Sequence, residues 1–219
     1  MAQPIHFMSP DTGEETARAD LYGLLANLFA APPSAQLLAA IAAAPVTSEG
    51  VLGQAWQALA NAARDHQGAA GVEAVREEYE RLFIGIGKPE VMLYGSFYLA
   101  GFLMERPLAA LRTELAMLGL ERADDVFESE DHVASLCEVM RYLIAGDDAS
   151  ALPDSPPQDS GARLAVQKGF FSRHLQPWGD AMCAAVKTHP HALFYCTLAE
   201  LARAFFEVEA QAFEIGVAT

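Results

Sequence analysis

Basic side chains are scarce in this 219-residue chain. Fourteen lysines and arginines stand against 29 aspartates and glutamates, a formal net charge of −15. That imbalance argues against a nucleic-acid backbone as the main ligand, since phosphate binding needs a local cationic surface. Anionic membrane surfaces are disfavoured for the same reason. Long apolar runs are also missing, because no window approaches the ~18 uninterrupted apolar residues of a membrane span. The opening Met1-Ala2-Gln3-Pro4-Ile5-His6 lacks a positive segment followed by an apolar one, so no secretory signal is expected. Cysteine is sparse: Cys137, Cys183 and Cys196 are odd in number and contain no Cys-x-x-Cys. They read as buried thiols in a reducing, cytoplasmic compartment rather than as a disulfide framework. No internal repeat of fixed period is evident.

What is present is helical period. The apolar share is 52%, enough for a chain of this length to bury a core without disulfide or metal. Leu21, Leu24, Leu25, Leu28 and Phe29 fall on one stripe of a helix that Pro32-Pro33 ends. A short helix follows over about 34–44. Ser48 is placed to cap a third, with Leu52, Ala55, Trp56 and Leu59 inward. A fourth carries Val72, Val75, Tyr79, Leu82 and Phe83. After an irregular stretch, Pro107 opens a helix that Gly119 closes. Residues 129–145 form the clearest helix, with Val133, Leu136, Cys137, Met140, Leu143 and Ile144 in register. One further helix runs through Phe170, Phe171 and Leu175, another starts at Pro177-Trp178, and a long last one spans about 192–215. About nine helices and no convincing strand pair give an all-α, single-domain multi-helix bundle.

Two stretches break the pattern. Residues 84–95 hold three glycines and a proline among apolar side chains, which is unusual unless the loop packs on or binds something. Residues 147–161 read as a linker and possible hinge, and their length permits exchange of the C-terminal helices between two chains, so the chain is expected to be a monomer or a domain-swapped dimer. Residues 1–13 read as a flexible N-terminus ahead of a helical domain over 14–215.

Candidate chemistry is thin. Glu128-Ser129-Glu130-Asp131-His132 opens a helix, with Ser129 as cap and Glu130 and Asp131 in the first turn. The same residues also suit a partner's polar groups, with Asp131 and His132 projecting beside a groove. They lack the second histidine at i+3 or i+4 that a helical metal site needs. Gly85-x-Gly87-Lys88 lacks the spacing and following Ser or Thr of a phosphate loop. Tyr79, Tyr94 and Tyr98 flank the irregular loop, each with a polar tip that needs a partner if buried. Phe170 to Trp178 reads as a tight interhelical corner, and His189-Pro190-His191 as a loop. No nucleophile elbow or oxyanion hole is marked, so no catalytic residue, metal or cofactor is expected.

Three segments, taken together, resemble the TorD/DmsD/NarJ family of cytoplasmic molybdoenzyme maturation chaperones. They are Glu78-Tyr79-x-x-Leu82-Phe83-x-Gly85-x-Gly87-Lys88-Pro89, then Tyr94-Gly95-Ser96-x-Tyr98-Leu99, then Glu128-x-x-Asp131-His132-Val133 with Glu138-Val139-Met140. Arg18-x-x-x-Tyr22-x-x-Leu25 and His174-Leu175-x-x-Trp178 also fit. Ser129 stands where many members have proline, and the three tyrosines where members often have tryptophan. The resemblance implies a TorD-like fold and a partner: the apo catalytic subunit of a molybdenum oxidoreductase, held by its N-terminal twin-arginine leader until cofactor insertion. Molybdopterin-cofactor delivery proteins are implied as further partners. The resemblance assigns leader or client binding to Tyr22, Tyr79, Leu82, Phe83, Tyr94, Gly95, Tyr98, Glu128, Asp131 and His132. In that reading the aromatic and aliphatic members line an apolar groove. Asp131 engages an arginine or backbone N–H, Glu128 helps, and His132 orients Asp131. Two other classes stay open: a helical adaptor docking a folded partner without leader binding, and a small metal- or nucleotide-dependent enzyme.

Overall fold

Local chemistry sets most of the helix ends. In the computed structural model, which describes residues 10–45, 50–123, 128–145 and 160–215, the first helix α1 (Pro10–Ala30) stops just before Pro32-Pro33. Residues 10–13 of the expected N-terminal tail are its first turn. Ser34 starts α2 (Ala35–Ala43) by accepting the Leu37 N–H at 3.1 Å. Then follow α3 (Gly50–Asp65) and α4 (Gly68–Tyr79), which runs straight into a π-helical turn, Glu80–Ile84. The expected cap Ser48 lies outside the described residues.

The π turn ends where Gly85 donates to the Glu80 carbonyl at 2.8 Å. Gly85 sits at φ 66°, and a Cβ there would lie 2.0 Å from the Lys88 carbonyl oxygen, so only glycine fits. A six-residue helix, α5 (Gly95–Ala100), follows; the sequence pattern gave no sign of it. It makes ten α-helices among the described residues where about nine were expected. The sixth, α6 (Arg106–Met117), carries Pro107 in its first turn and closes on Gly119 at φ 72°. There Leu120 N–H reaches the Leu115 carbonyl and Gly119 N–H that of Ala116, the paired bonds of a glycine-stopped helix end.

The seventh helix differs from expectation at its start. It is α7 (Val133–Ala145), four residues shorter than the sequence pattern indicates. Ser129 does not cap it. Its hydroxyl bonds the Asp131 carboxylate instead, and the N-cap is His132, whose Nδ1 accepts the Ala134 N–H at 3.2 Å. Residues 146–159, most of the expected linker, lie outside the described residues, and Ser160 and Gly161 already belong to α8 (Ser160–His174). The chain ends in α9 (Gln176–Thr188) and α10 (Phe194–Ile215).

Packing pairs distant parts of the chain: α1 lies on α7, and α10 on α3 and α9. Leu25, Leu28, Phe29, Leu136, Cys137 and Met140 are fully or nearly fully buried, as their stripes require. An aromatic cluster, Tyr79–Phe83–Tyr195, fills the centre, with ring centroids 5.0–5.7 Å apart. The expected single all-helical domain is what the chain forms. Among the described residues the strand-type pairing is a single isolated antiparallel bridge, Tyr94 to His132.

Candidate functional site

That bridge is where two of the sequence segments meet. Gly95 N–H donates to the Asp131 carbonyl at 2.9 Å, and Val133 N–H to the Leu93 carbonyl at 2.8 Å. Asp131 then adds its side chain: one carboxylate oxygen accepts the Ser96 N–H at 2.8 Å, and the other is held by the Ser129 hydroxyl. Its negative charge lies on the first amides of α5, where they lack helical partners. Asp131 is 3% exposed and His132 4%. Neither projects into solvent, and the bonds just described occupy both carboxylate oxygens and the His132 Nδ1.

Burial pushes the His132 imidazole down to about 4, against the opposing pull of the Glu128 and Asp131 charges. The ring is therefore neutral near pH 7, with its proton on Nε2. Tyr94 packs edge-on to it at 5.0 Å and donates its hydroxyl to Glu128. Burial, then that hydrogen bond and the Glu128 charge, raise the Tyr94 phenol. Glu128 is exposed and forms the outer edge of the junction.

Tyr98 and Trp178 stack at 5.6 Å and 17°, while Trp178 Nε1 donates to the His174 carbonyl at 2.6 Å. Gly95 passes under that indole: a Cβ there would stand 2.9 Å from Nε1. The tip of Tyr98 donates to the Met92 carbonyl at 2.9 Å, fastening α5 to the preceding loop. Burial lifts the Tyr98 phenol to about 12.

The remaining expected site residues lie deeper. Leu82 is fully buried, Phe83 and Tyr79 6% exposed, and all three are core rather than an open groove wall. The Tyr79 hydroxyl donates to the Ala30 carbonyl at 2.8 Å, completing the end of α1. Its phenol rises to about 12, from burial and then from Glu128, whose charge reaches it. Tyr22 is remote from the junction. It donates to Glu209 at 3.0 Å beside a two-pronged Arg18–Glu209 ion pair. The structure thus gathers Tyr94, Gly95, Tyr98, Glu128, Asp131 and His132 and leaves Tyr22 apart.

Two carboxylates carry roles that motif reading missed. Glu78 accepts from the Leu193, Phe194 and Tyr195 amides at 2.8–3.1 Å, so it caps α10 from more than a hundred residues away. Glu209, 1% exposed, sits in the apolar stripe Leu198, Leu201, Phe205, Glu209 of α10. An acid on a buried stripe was the legible sign of a cationic partner, which Arg18 is.

Next to the junction an apolar groove of about 310 Å³ opens between α1, the end of α6 and α7. Ala26, Ala30, Leu115, Leu120, Ala134 and Val139 form its walls, with alanines on both α1 and α7. Glu121, Glu130 and Glu138 stand on its rim with Arg122. Glu130 is bridged by Arg112 at 2.9 Å and by Arg122 at 3.8 Å, and Glu138 by Arg141 at 2.7 Å, which leaves Glu121 as the rim acid outside these ion pairs. No group of three or more His, Cys, Asp or Glu suited to a metal occurs among the described residues. No helix there is long and apolar enough to cross a membrane.

Comparisons with known proteins bear on this arrangement. A family model described as nitrate reductase delta subunit matches residues 49–184, which include the junction and most of the groove. The fold is similar to the crystal structure of a proposed redox enzyme maturation protein from Archaeoglobus fulgidus. That match has a TM-score of 0.54 at 18% identity, over 94% of this chain and 99% of the other. No curated protein matches the sequence.

Proposed function

The chain belongs to the nitrate reductase delta subunit family of redox-enzyme maturation chaperones, and from that premise we propose that it holds the N-terminal leader of its client. The client is a molybdoenzyme subunit of the nitrate reductase type. In this reading the chaperone works in the cytoplasm, on a subunit that has not yet received its cofactor. It occupies the leader and so delays export until cofactor insertion and assembly are complete. It performs no chemistry of its own.

The observation that carries the proposal is the apolar groove beside the junction, with Glu121 at its rim outside the arginine pairs that hold Glu130 and Glu138. A leader offers an apolar stretch flanked by basic residues. The groove walls suit the first, while Glu121 and the exposed Glu128 suit the second. The residues expected from sequence then divide by role. Glu128 and Tyr94 meet the client at the junction's outer edge. Asp131, His132, Gly95 and Tyr98 hold the walls in place, and Tyr79, Leu82, Phe83 and Tyr22 support them from the core.

The test is calorimetry with the client's leader peptide. Ala30 is exposed and lines the groove, so Ala30→Lys should put a cation among apolar walls and weaken binding at least tenfold. The circular-dichroism melt should stay unchanged. Full affinity in this variant would remove the groove from the binding surface.

A further inference from the structure

The π turn and the loop after it form a closed knuckle. Val91 N–H donates to the Leu82 carbonyl at 2.9 Å and Gly85 N–H to the Glu80 carbonyl at 2.8 Å, which shuts the loop at its base. Glu90 is tied in turn to His189, just ahead of α10, at 2.7 Å. Leu82 and Phe83 face the core from that base, whereas Ile84 is 55% exposed and Ile86 wholly exposed. Two branched aliphatic side chains therefore stand in solvent. The backbone that carries them has little room to withdraw, since Gly85 is pressed against Lys88. Such a feature is ordered before any partner arrives, so docking it costs little entropy.

Cations flank the two isoleucines. Among the described residues three basic side chains, Arg81, Lys88 and Arg106, have neither an ion pair nor a hydrogen bond, and the knuckle carries two of them. The acids around it are mostly engaged: Glu73 and Glu80 by Arg76, Glu90 by His189, and Glu78 by the amides of α10. Glu77 is left over, a turn before Arg81, and offsets one of the two charges. In a chain of net charge −15, this is a local excess of cation around exposed apolar carbon.

The groove between α1, α6 and α7 is suited to that chemistry. Ala30 is an exposed part of its wall, Leu120 and Val139 are half-buried, and Glu121 and Glu128 stand near it outside any arginine pair. The fastened base keeps the knuckle out of the groove of its own chain. The two nevertheless adjoin, because Tyr79, the residue before the π turn, donates its hydroxyl to the carbonyl of Ala30. Two molecules that carry complementary neighbouring surfaces can exchange them about a two-fold axis and close the assembly.

We propose that, without client, a second copy of this chain occupies the groove. The Ile84 and Ile86 side chains of each molecule lie against the alanine walls of the other, with Arg81 and Lys88 toward its Glu121 and Glu128. The leader displaces the knuckle, so the apolar walls stay covered until a client arrives. That displacement rests on the client-binding reading above; the pairing of knuckle and groove does not.

Sedimentation equilibrium of the full chain, from micromolar to millimolar concentration, tests the pairing. A monomer–dimer equilibrium is expected. Ile86→Asp and Ala30→Lys should each weaken it at least tenfold, and Lys88→Glu at least threefold, with circular-dichroism melts unchanged. Mixing Ile86→Asp with Ala30→Lys should restore dimers, because one molecule brings an intact groove and the other an intact knuckle. A monomer throughout the range, dimers that persist in both single variants, or a mixture that stays monomeric would overturn the proposal. Added leader peptide should dissociate the dimer, and Ile86→Asp should bind that peptide at least as tightly as the unaltered chain. Dimers that hold together with leader bound place the knuckle elsewhere and also sink the pairing. A leader that binds no form of the chain removes the displacement and spares the pairing.

Discussion

The Asp131 carboxylate accepts the backbone N–H of Ser96 at 2.8 Å, across 35 positions of sequence. One side chain therefore fixes the start of α5 to the turn before α7. The Gly95 N–H on the Asp131 carbonyl and the Tyr98 hydroxyl on the Met92 carbonyl complete the fastening of α5.

Asp131→Ala should destabilise the fold, because it removes a charge-assisted hydrogen bond and leaves a buried N–H unpaired. The loss should be about 1.5–3 kcal/mol in urea unfolding. Asp131→Asn keeps an acceptor for Ser96 and should lose less than half of that. Equal losses would mean that the charge, not the hydrogen bond, carries the effect.

Glu78→Ala should be the more damaging of the two. Three amides at the start of α10 lose their acceptor together, so roughly 3 kcal/mol is expected, above the ~0.5–2 of an ordinary cap. Amide hydrogen exchange should rise first at Leu193, Phe194 and Tyr195. Protection that stays unchanged there would contradict the capping role.

Gly95→Ala should cost about 1–3 kcal/mol through overpacking against the Trp178 ring. The ring cannot swing aside, since Tyr98 stacks on it and His174 holds its N–H. Trp178 fluorescence should shift in the variant, and Gly95→Ala with Trp178→Phe should recover part of the loss. Thermal melts of the three variants decide it.

Acid should weaken the protein through His132. Its folded value, about 4, lies below the ordinary 6.5, so the unfolded chain binds the proton more readily. Stability from this group is complete above about pH 6.5 and is lost as pH falls toward 4. Glu128 and Asp131 face the ring and oppose the loss without reversing it. His132→Asn, which keeps an acceptor at the helix cap, should flatten the slope of unfolding free energy between pH 6.5 and 4.5.

Sequence periodicity was a good guide wherever a helix buries one stripe and stops at glycine or proline, as at Pro32-Pro33 and Gly119. It failed at α5, which has six residues and too few turns to show a period. It also failed at Ser129, where a good capping residue precedes a helix that begins later. Both failures have one source: residues 93–96 and 131–133 are shaped by each other, through bonds between segments far apart in the chain. The acids of the motifs were legible as residues, but not their use. Glu78 stands in the first of the family segments with no role assigned to it, because its partners are amides at the start of α10, more than a hundred residues on. The pairing of Glu209 with Arg18 was open to inference, because an acid on an apolar stripe demands a cation.

The Arg18–Glu209 pair spans 191 positions, and that distance has a consequence for synthesis. While the ribosome still holds residues beyond about 200, α1 has its arginine and tyrosine but not the acid that satisfies them. Glu78 likewise waits for the amides of α10. A nascent chain can gather its first helices but cannot complete either connection until its last helix emerges. A truncated product lacking α10 would leave Arg18, Tyr22 and Glu78 without these partners.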